Sequence, residues 1–251
     1  LFNALTQAGA AVANYPFTTI EPNVGVVPVP DARLDAIAAL VRPEKVVPAT
    51  LRVVDIAGLV RGASHGEGLG NEFLSHIRAV DAIAMVVRCF EDSQVPHVTA
   101  ELRPAEDMDV VTLELVLADA QALERHRERV QSRAKGNPRE FTAEVEVVDR
   151  VLSGLHSGIP ARRQDLAPAE LDLLREASLL TTKPLLYVAN VAEGSLPDGG
   201  PLAAQVRARA AEEGAEVIVL CAQVEADMAD WPPEDARAYL AALGLEEPGL
   251  H

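Results

Sequence analysis

The chain predicts an α/β fold: a doubly wound, mainly parallel sheet into which an antiparallel helical hairpin is inserted. Three observations predict it. Short apolar runs rich in β-branched residues, at 51–55, 82–90, 184–190 and 216–221, alternate with helix-period segments, as strands buried on both faces of a parallel sheet do. Between 110 and 182 the apolar period changes to the 3,4 spacing of paired helices. Polar side chains stand where strands stop, Asp55 after the first run and Asn190 at the end of the third, the edge at which open α/β sheets bind ligands.

Taken in order, residues 1–6 read as the middle of a helix, and 14–23 as a loop in which Pro16 and Pro22 bracket Thr18 and Thr19. Residues 24–29 form a strand that Pro28 pushes toward a sheet edge, and 31–41 a short amphipathic helix. The run 51–55 is a buried strand ending at Asp55, with Gly58 completing Asp-x-x-Gly. That pair combines a carboxylate able to hold magnesium through water with a bare backbone N–H able to approach a γ-phosphate. Glycines at 62, 66, 68 and 70 give the next segment backbone freedom, and Asn71 caps the helix that follows.

The apolar strand 82–90 ends in the acidic turn Glu91-Asp92. In the hairpin Leu113, Val116, Ala120, Leu123 and Val130 form one seam, with Arg127 in its slot, and Phe141, Val145, Val148, Leu152 and Leu155 the other; 134–138 breaks the two. The tip is basic, Arg125, Arg127, Arg129, Arg133, Lys135 and Arg139 standing against Glu124, Glu128 and Glu140. Two readings of it stay open, a solvated end laced by i,i+4 pairs or an RNA-contacting finger on an acidic body. A helix over 168–180 with an early proline, the buried strand 184–190, a helix over 201–213 stopped by Gly214, the strand 216–221 and an amphipathic helix from Trp231 to residue 243 complete the chain. The domain reading is 1–110 and 183–231 as two parts of one α/β domain, 111–182 as the helical insertion, and 232–251 as a C-terminal helix.

Composition bounds the function. With 49% hydrophobic and 24% charged residues the chain has the makings of an ordinary core. A net charge of −16 disfavours broad adhesion to nucleic acid, so DNA is not an expected partner and any RNA contact is local. Cys89 and Cys221 lie in apolar runs and read as reduced core residues of a cytoplasmic protein. No apolar run approaches a membrane span and no basic-then-apolar leader opens the chain, so no membrane association is expected.

The segment from Asp55 through Gly58 and Leu59 with its glycine-rich tail, together with Asn14-Tyr-Pro-Phe-Thr-Thr-Ile-Glu-Pro-Asn23, resembles the Obg-type branch of P-loop GTPases, most closely its Obg-like ATPase (YchF) subfamily. The resemblance runs through essentially all of the chain and implies a P-loop NTPase-type sheet with a coiled-coil insertion. It implies magnesium-dependent hydrolysis of ATP, with GTP possible as substrate, by a monomer that associates with the ribosome as a regulator of translation or stress. Thr19 would bind Mg2+ directly and Asp55 through water; Gly58 would sense the γ-phosphate. His97 would assist the attacking water, with His65 as competitor, because the slot where superfamily members carry a water-orienting glutamine holds Leu59. The guanine-reading Asn-Lys-x-Asp appears here as Asn190, Val191 and Glu193, a change that favours adenine. Phe90 would pack on the base, and Cys221, Ala222 and Gln223 would occupy the loop that contacts it. The chain's three lysines, Lys45, Lys135 and Lys183, lie in no phosphate loop. The resemblance therefore places that loop and the first strand ahead of Leu1 and a TGS domain after His251, which leaves turnover by this stretch alone open. Two alternatives remain: an Obg-type GTPase, and a non-catalytic hairpin module that binds ribosome or RNA.

Overall fold

The computed structural model describes residues 1–6, 22–56, 69–92, 102–136 and 138–250. Strands β3 (Ile83–Cys89), β4 (Leu185–Val191) and β5 (Glu216–Leu220) form a parallel sheet in the order β3-β4-β5. Ile83 pairs with Leu185 and Leu186 with Glu216, so all three carboxyl ends reach one edge together. Val87, Cys89, Tyr187, Ala189 and Val191 pack with Met108 against the small residues Ala203 and Ala210 and Val206 of α7 (Gly200–Glu213). Gly214 ends α7 in the left-handed region, as its position predicts.

The helical hairpin is formed by α4 (Pro104–Ala134) and α5 (Pro138–His156). Val116, Ala120 and Leu123 pack against Val147, Val148, Val151, Leu152 and Leu155, and Glu124 meets His156 and Glu144 meets His126 across the antiparallel pair. Leu113, placed in the seam by its spacing, is instead 49% exposed, while Leu115 and Val116 are buried. The reason is that α4 is covered on more than one side: Met108 joins the sheet core, Leu115 and Ala118 pack with Leu74, Ile77 and Leu180, and Leu123 faces α5. A single-stripe period misreads such a helix. Helix α4 runs unbroken from the sheet core to the hairpin tip.

Three other expectations are corrected. Among the described residues the strand β2 (Thr50–Asp55) pairs with none of β3, β4 and β5. It pairs antiparallel with β1 (Asn23–Pro28) in a separate two-stranded ladder among the described residues, and Leu51 is 61% exposed. Helix α2 (Ala32–Val41), expected to bury an apolar face, buries no residue, with Leu40 85% exposed. The helix expected over 168–180 stops at Leu173 as α6 (Pro168–Leu173) and continues as short 3-10 turns, the first of which, Arg175–Ala177, ends at Ser178 with φ +50. Cys89 and Cys221 are free and buried as predicted, and burial next to the Asp107 charge pushes the Cys89 thiol up to about 11.

Buried charge ties the elements together. Glu213 of α7, with no exposed side-chain surface, accepts hydrogen bonds from Tyr187 on β4 (3.1 Å) and from Arg162 beyond the hairpin (3.0 Å), and pairs with Arg209 at 3.0 Å. Burial first, and then the Glu213 charge, push the Tyr187 phenol up to about 12, so it remains a donor.

Candidate functional site

The site is built where the three parallel strands end. Register places Arg88 opposite Asn190 and Asn190 opposite Leu220, which gathers Phe90, the 190–193 segment and the 221–223 segment at one edge. The half-buried Asn190 accepts at Oδ1 from the Ala222 backbone N–H at 2.9 Å. Ala222 is the first residue of α8 (Ala222–Met228), so the amide oxygen serves one of the N–H groups that a helix start leaves without an intrahelical partner. An N–H donor fixes which end of the amide faces α8, and the NH2 end is the one left for a ligand. The expected double role of Asn190, donor to a purine N7 and acceptor from adenine's amino group, is therefore biased toward the donor half.

The neighbouring positions divide into those that offer side chains and those that offer backbone. Val191 is 2% exposed and Cys221 is also buried, so both point into the core and leave only main chain to the site. Glu193, exposed in the short turn after β4, accepts from the Tyr239 hydroxyl at 2.7 Å. That bond heads the causes that raise the Tyr239 pKa. Gln223 is engaged with Asp227 at 2.8 Å. The Phe90 ring carries the Arg88 guanidinium 4.9 Å from its centre, and Arg88 also donates to the carbonyls of Phe90 and Asp92 at 3.0 Å each.

Three residues of this edge were not singled out by their sequence. Arg88 carries a signal, a charge inside an otherwise apolar strand. Tyr239, on α9 (Pro233–Ala242), looks like any aromatic of an amphipathic helix. Glu225, buried on α8, accepts from the Gly249 N–H at 2.7 Å and fastens the C-terminal segment to α8.

Asp55 ends β2 opposite Asn23, exposed and on the separate ladder. Thr19, Gly58, His97 and the alternative His65 lie outside the described residues. A single exposed carboxylate suits magnesium, which keeps most of its waters and takes one or two protein oxygens rather than a cage. Among the described residues no group of three His, Cys, Asp or Glu side chains gathers.

At the hairpin tip the cations divide. Arg127 pairs with Asp149 at 2.5 Å; Arg133 pairs with Glu144 at 3.4 Å and Glu176 at 3.6 Å, and lies over the Phe141 ring. Those two brace the hairpin. Arg125, Arg129 and Lys135 are exposed and form no ion pair with a described residue, and the Arg139 side chain lies outside what is described. No helix among the described residues is long and apolar enough to cross a membrane.

Residues 1–119 match the family described as 50S ribosome-binding GTPase. The chain is 49% identical over 251 residues to the ribosome-binding ATPase YchF of Escherichia coli O157:H7, covering all of this chain and 69% of that protein. It is 47% identical over 252 residues to the protein of the same name from Bacillus subtilis, with the same coverage. The solved YchF GTPase of Schizosaccharomyces pombe is similar with a TM-score of 0.80 at 34% identity, over 98% of this chain and 68% of that one.

Proposed function

The chain belongs to the YchF family of Obg-type P-loop GTPases, and on that premise we propose that it is the core of a cytoplasmic, monomeric, ribosome-associated ATPase. The observation that carries the reading is Asn190, held by Ala222 at the carboxyl edge of the parallel sheet with its NH2 end left over, beside Glu193 and with no lysine between them. The relatives are named ribosome-binding ATPases. Asn190 donates to the purine N7, Phe90 and the main chain of Val191, Cys221 and Ala222 frame the base, and Gln223 borders it. Thr19 and, through water, Asp55 hold Mg2+, which when bound supplies positive charge to the phosphates. Gly58 offers its N–H to the γ-phosphate, and His97 orients the attacking water by accepting its proton in a hydrogen bond.

The test is calorimetric titration of ATP and GTP into the chain preceded by a Gly-x-x-x-x-Gly-Lys-Ser loop segment. Loss of the guanine-reading aspartate's paired contact costs about 2 kcal/mol, so GTP is expected to bind roughly thirtyfold more weakly than at a site that carries it, and ATP to bind tighter than GTP. Equal or tighter GTP binding refutes the adenine reading.

The hairpin, read as a coiled coil, is the proposed ribosome contact through its basic tip. Reversing Arg125, Arg129 and Lys135 to glutamate leaves the bracing pairs of Arg127 and Arg133 in place. Ribosome co-sedimentation should weaken, and its log–log salt slope should fall by roughly 2–3, one phosphate contact per cation. An unchanged slope removes RNA contact from the tip.

A further inference from the structure

We propose that Tyr239 is a positioning residue for base selection: by donating its hydroxyl to Glu193 it engages one carboxylate oxygen and leaves the other as the one wholly free oxygen, matched to adenine's single donor rather than to guanine's pair. This deepens the proposed function and rests on it, since it supposes that the 190–193 edge meets the base.

The hydroxyl is held in place by packing. The Tyr239 ring meets Trp231 edge to face, with centroids 5.3 Å apart. It lies against the buried cluster of Cys221, Val224, Met228 and Leu240, beside Leu196. Cys221 immediately precedes Ala222, which holds Asn190, and Leu196 immediately follows the turn Glu193–Ser195. One small core therefore sets both the amide and the carboxylate, and α9 brings the phenol to it. The Tyr239 Oη to Glu193 Oε1 distance of 2.7 Å is that of a phenol donating to an ionised carboxylate. The same bond holds the proton on the phenol, raising its pKa.

The two purines ask different things of such a carboxylate. On its pairing edge guanine presents two parallel donors, N1–H and the N2 amine, which a carboxylate with both oxygens free accepts together. Adenine presents one donor, the N6 amine, beside an N1 acceptor. With Oε1 engaged by Tyr239, Oε2 satisfies adenine's amine, whereas guanine is left with one donor against an oxygen already in use. Sharing Oε1 with the phenol weakens the second guanine bond while adenine's one bond to Oε2 is untouched, and that difference discriminates between the bases. The longer Glu193 side chain also reaches the phenol across the turn, so glutamate and tyrosine act as one unit.

The experiment titrates adenosine and guanosine into the full chain by NMR, which reads the base end apart from the phosphates, for the parent, Tyr239→Phe, Glu193→Gln and the double variant. Tyr239→Phe keeps the ring and its Trp231 contact and removes only the hydroxyl. The guanosine-to-adenosine affinity ratio is expected to rise about tenfold in Tyr239→Phe, mainly through tighter guanosine binding, and to be unaffected by Tyr239→Phe once Glu193 is glutamine. An unchanged ratio, or an equal loss for both nucleosides, overturns the proposal and leaves the base-site reading standing. Absence of binding by the parent chain for either nucleoside overturns both.

Discussion

Asp119→Ala is expected to remove about 3–5 kcal/mol of folding stability, the cost of leaving several buried donors without their acceptor. Asp119 sits in mid-α4 with no exposed surface. Its Oδ1 accepts from the Leu180 N–H at 2.7 Å, and its Oδ2 from the Thr181 N–H at 2.8 Å and the Thr181 hydroxyl at 2.7 Å. The same hydroxyl accepts from the Ala161 N–H at 2.9 Å. One carboxylate thus joins the hairpin, the chain leaving it and the segment entering β4. Asp119→Asn keeps an acceptor for one donor but turns an NH2 toward others, so an intermediate loss of about 2–3 kcal/mol is expected.

The pH dependence has a definite sign. Burial raises the Asp119 pKa above 3.8, outweighing the opposing hydrogen bonds from Thr181 and Leu180. An acid whose folded pKa lies above its unfolded value contributes most below the unfolded pKa and loses that contribution as pH rises through the folded one. The stability gap between the parent chain and Asp119→Asn should therefore be widest near the acid end and narrow as the pH rises through the folded pKa. Urea titrations at several pH values measure it. A gap that widens with pH would mean that the three hydrogen bonds dominate over burial.

What the sequence carried and what it hid divide along a physical line. Strand β4 was legible because both its faces are covered, which enforces the unbroken apolar run 184–190; β3 and β5 were legible from β-branched runs, although Val86 is 49% and Ile218 37% exposed. The α5 seam was legible because Val148, Leu152 and Leu155 lie on one stripe that enters a single buried cluster. Leu113 was misread because α4 enters several. The direction of β2 was hidden: nothing in the composition of Leu51, Val53 and Val54 distinguishes a strand in a parallel sheet from one paired antiparallel with β1. Asp119 was hidden because its partners stand 61 and 62 residues away, and no local pattern records them. The candidate site shows the same division. Asn190 and Glu193 were visible as a spaced pair at a strand end. That Ala222 takes one end of the first and Tyr239 one oxygen of the second arises only when α8 and α9 pack over the edge.

The two ends of the Asn190 amide can be separated. Asn190→Ala removes both, the acceptor for Ala222 N–H and the NH2 donor to the base. Loss of a base contact together with displacement of the α8 start should weaken ATP binding by about 2–3 kcal/mol, roughly 30- to 150-fold in Kd. Stability should fall by only about 1 kcal/mol, the usual worth of a side chain serving a helix start. Asn190→Asp is the discriminating partner variant. Its carboxylate still accepts from Ala222, so thermal unfolding should return close to the parent, but it has no N–H to give to a purine N7, so ATP affinity should remain as poor as in the alanine variant. Calorimetry and thermal unfolding on the same three chains read the two effects independently. If aspartate restored ATP binding along with stability, the amide would act only as a brace for α8, and base recognition at this edge would have to come from the main chain of residues 191 and 221–222 and from Glu193.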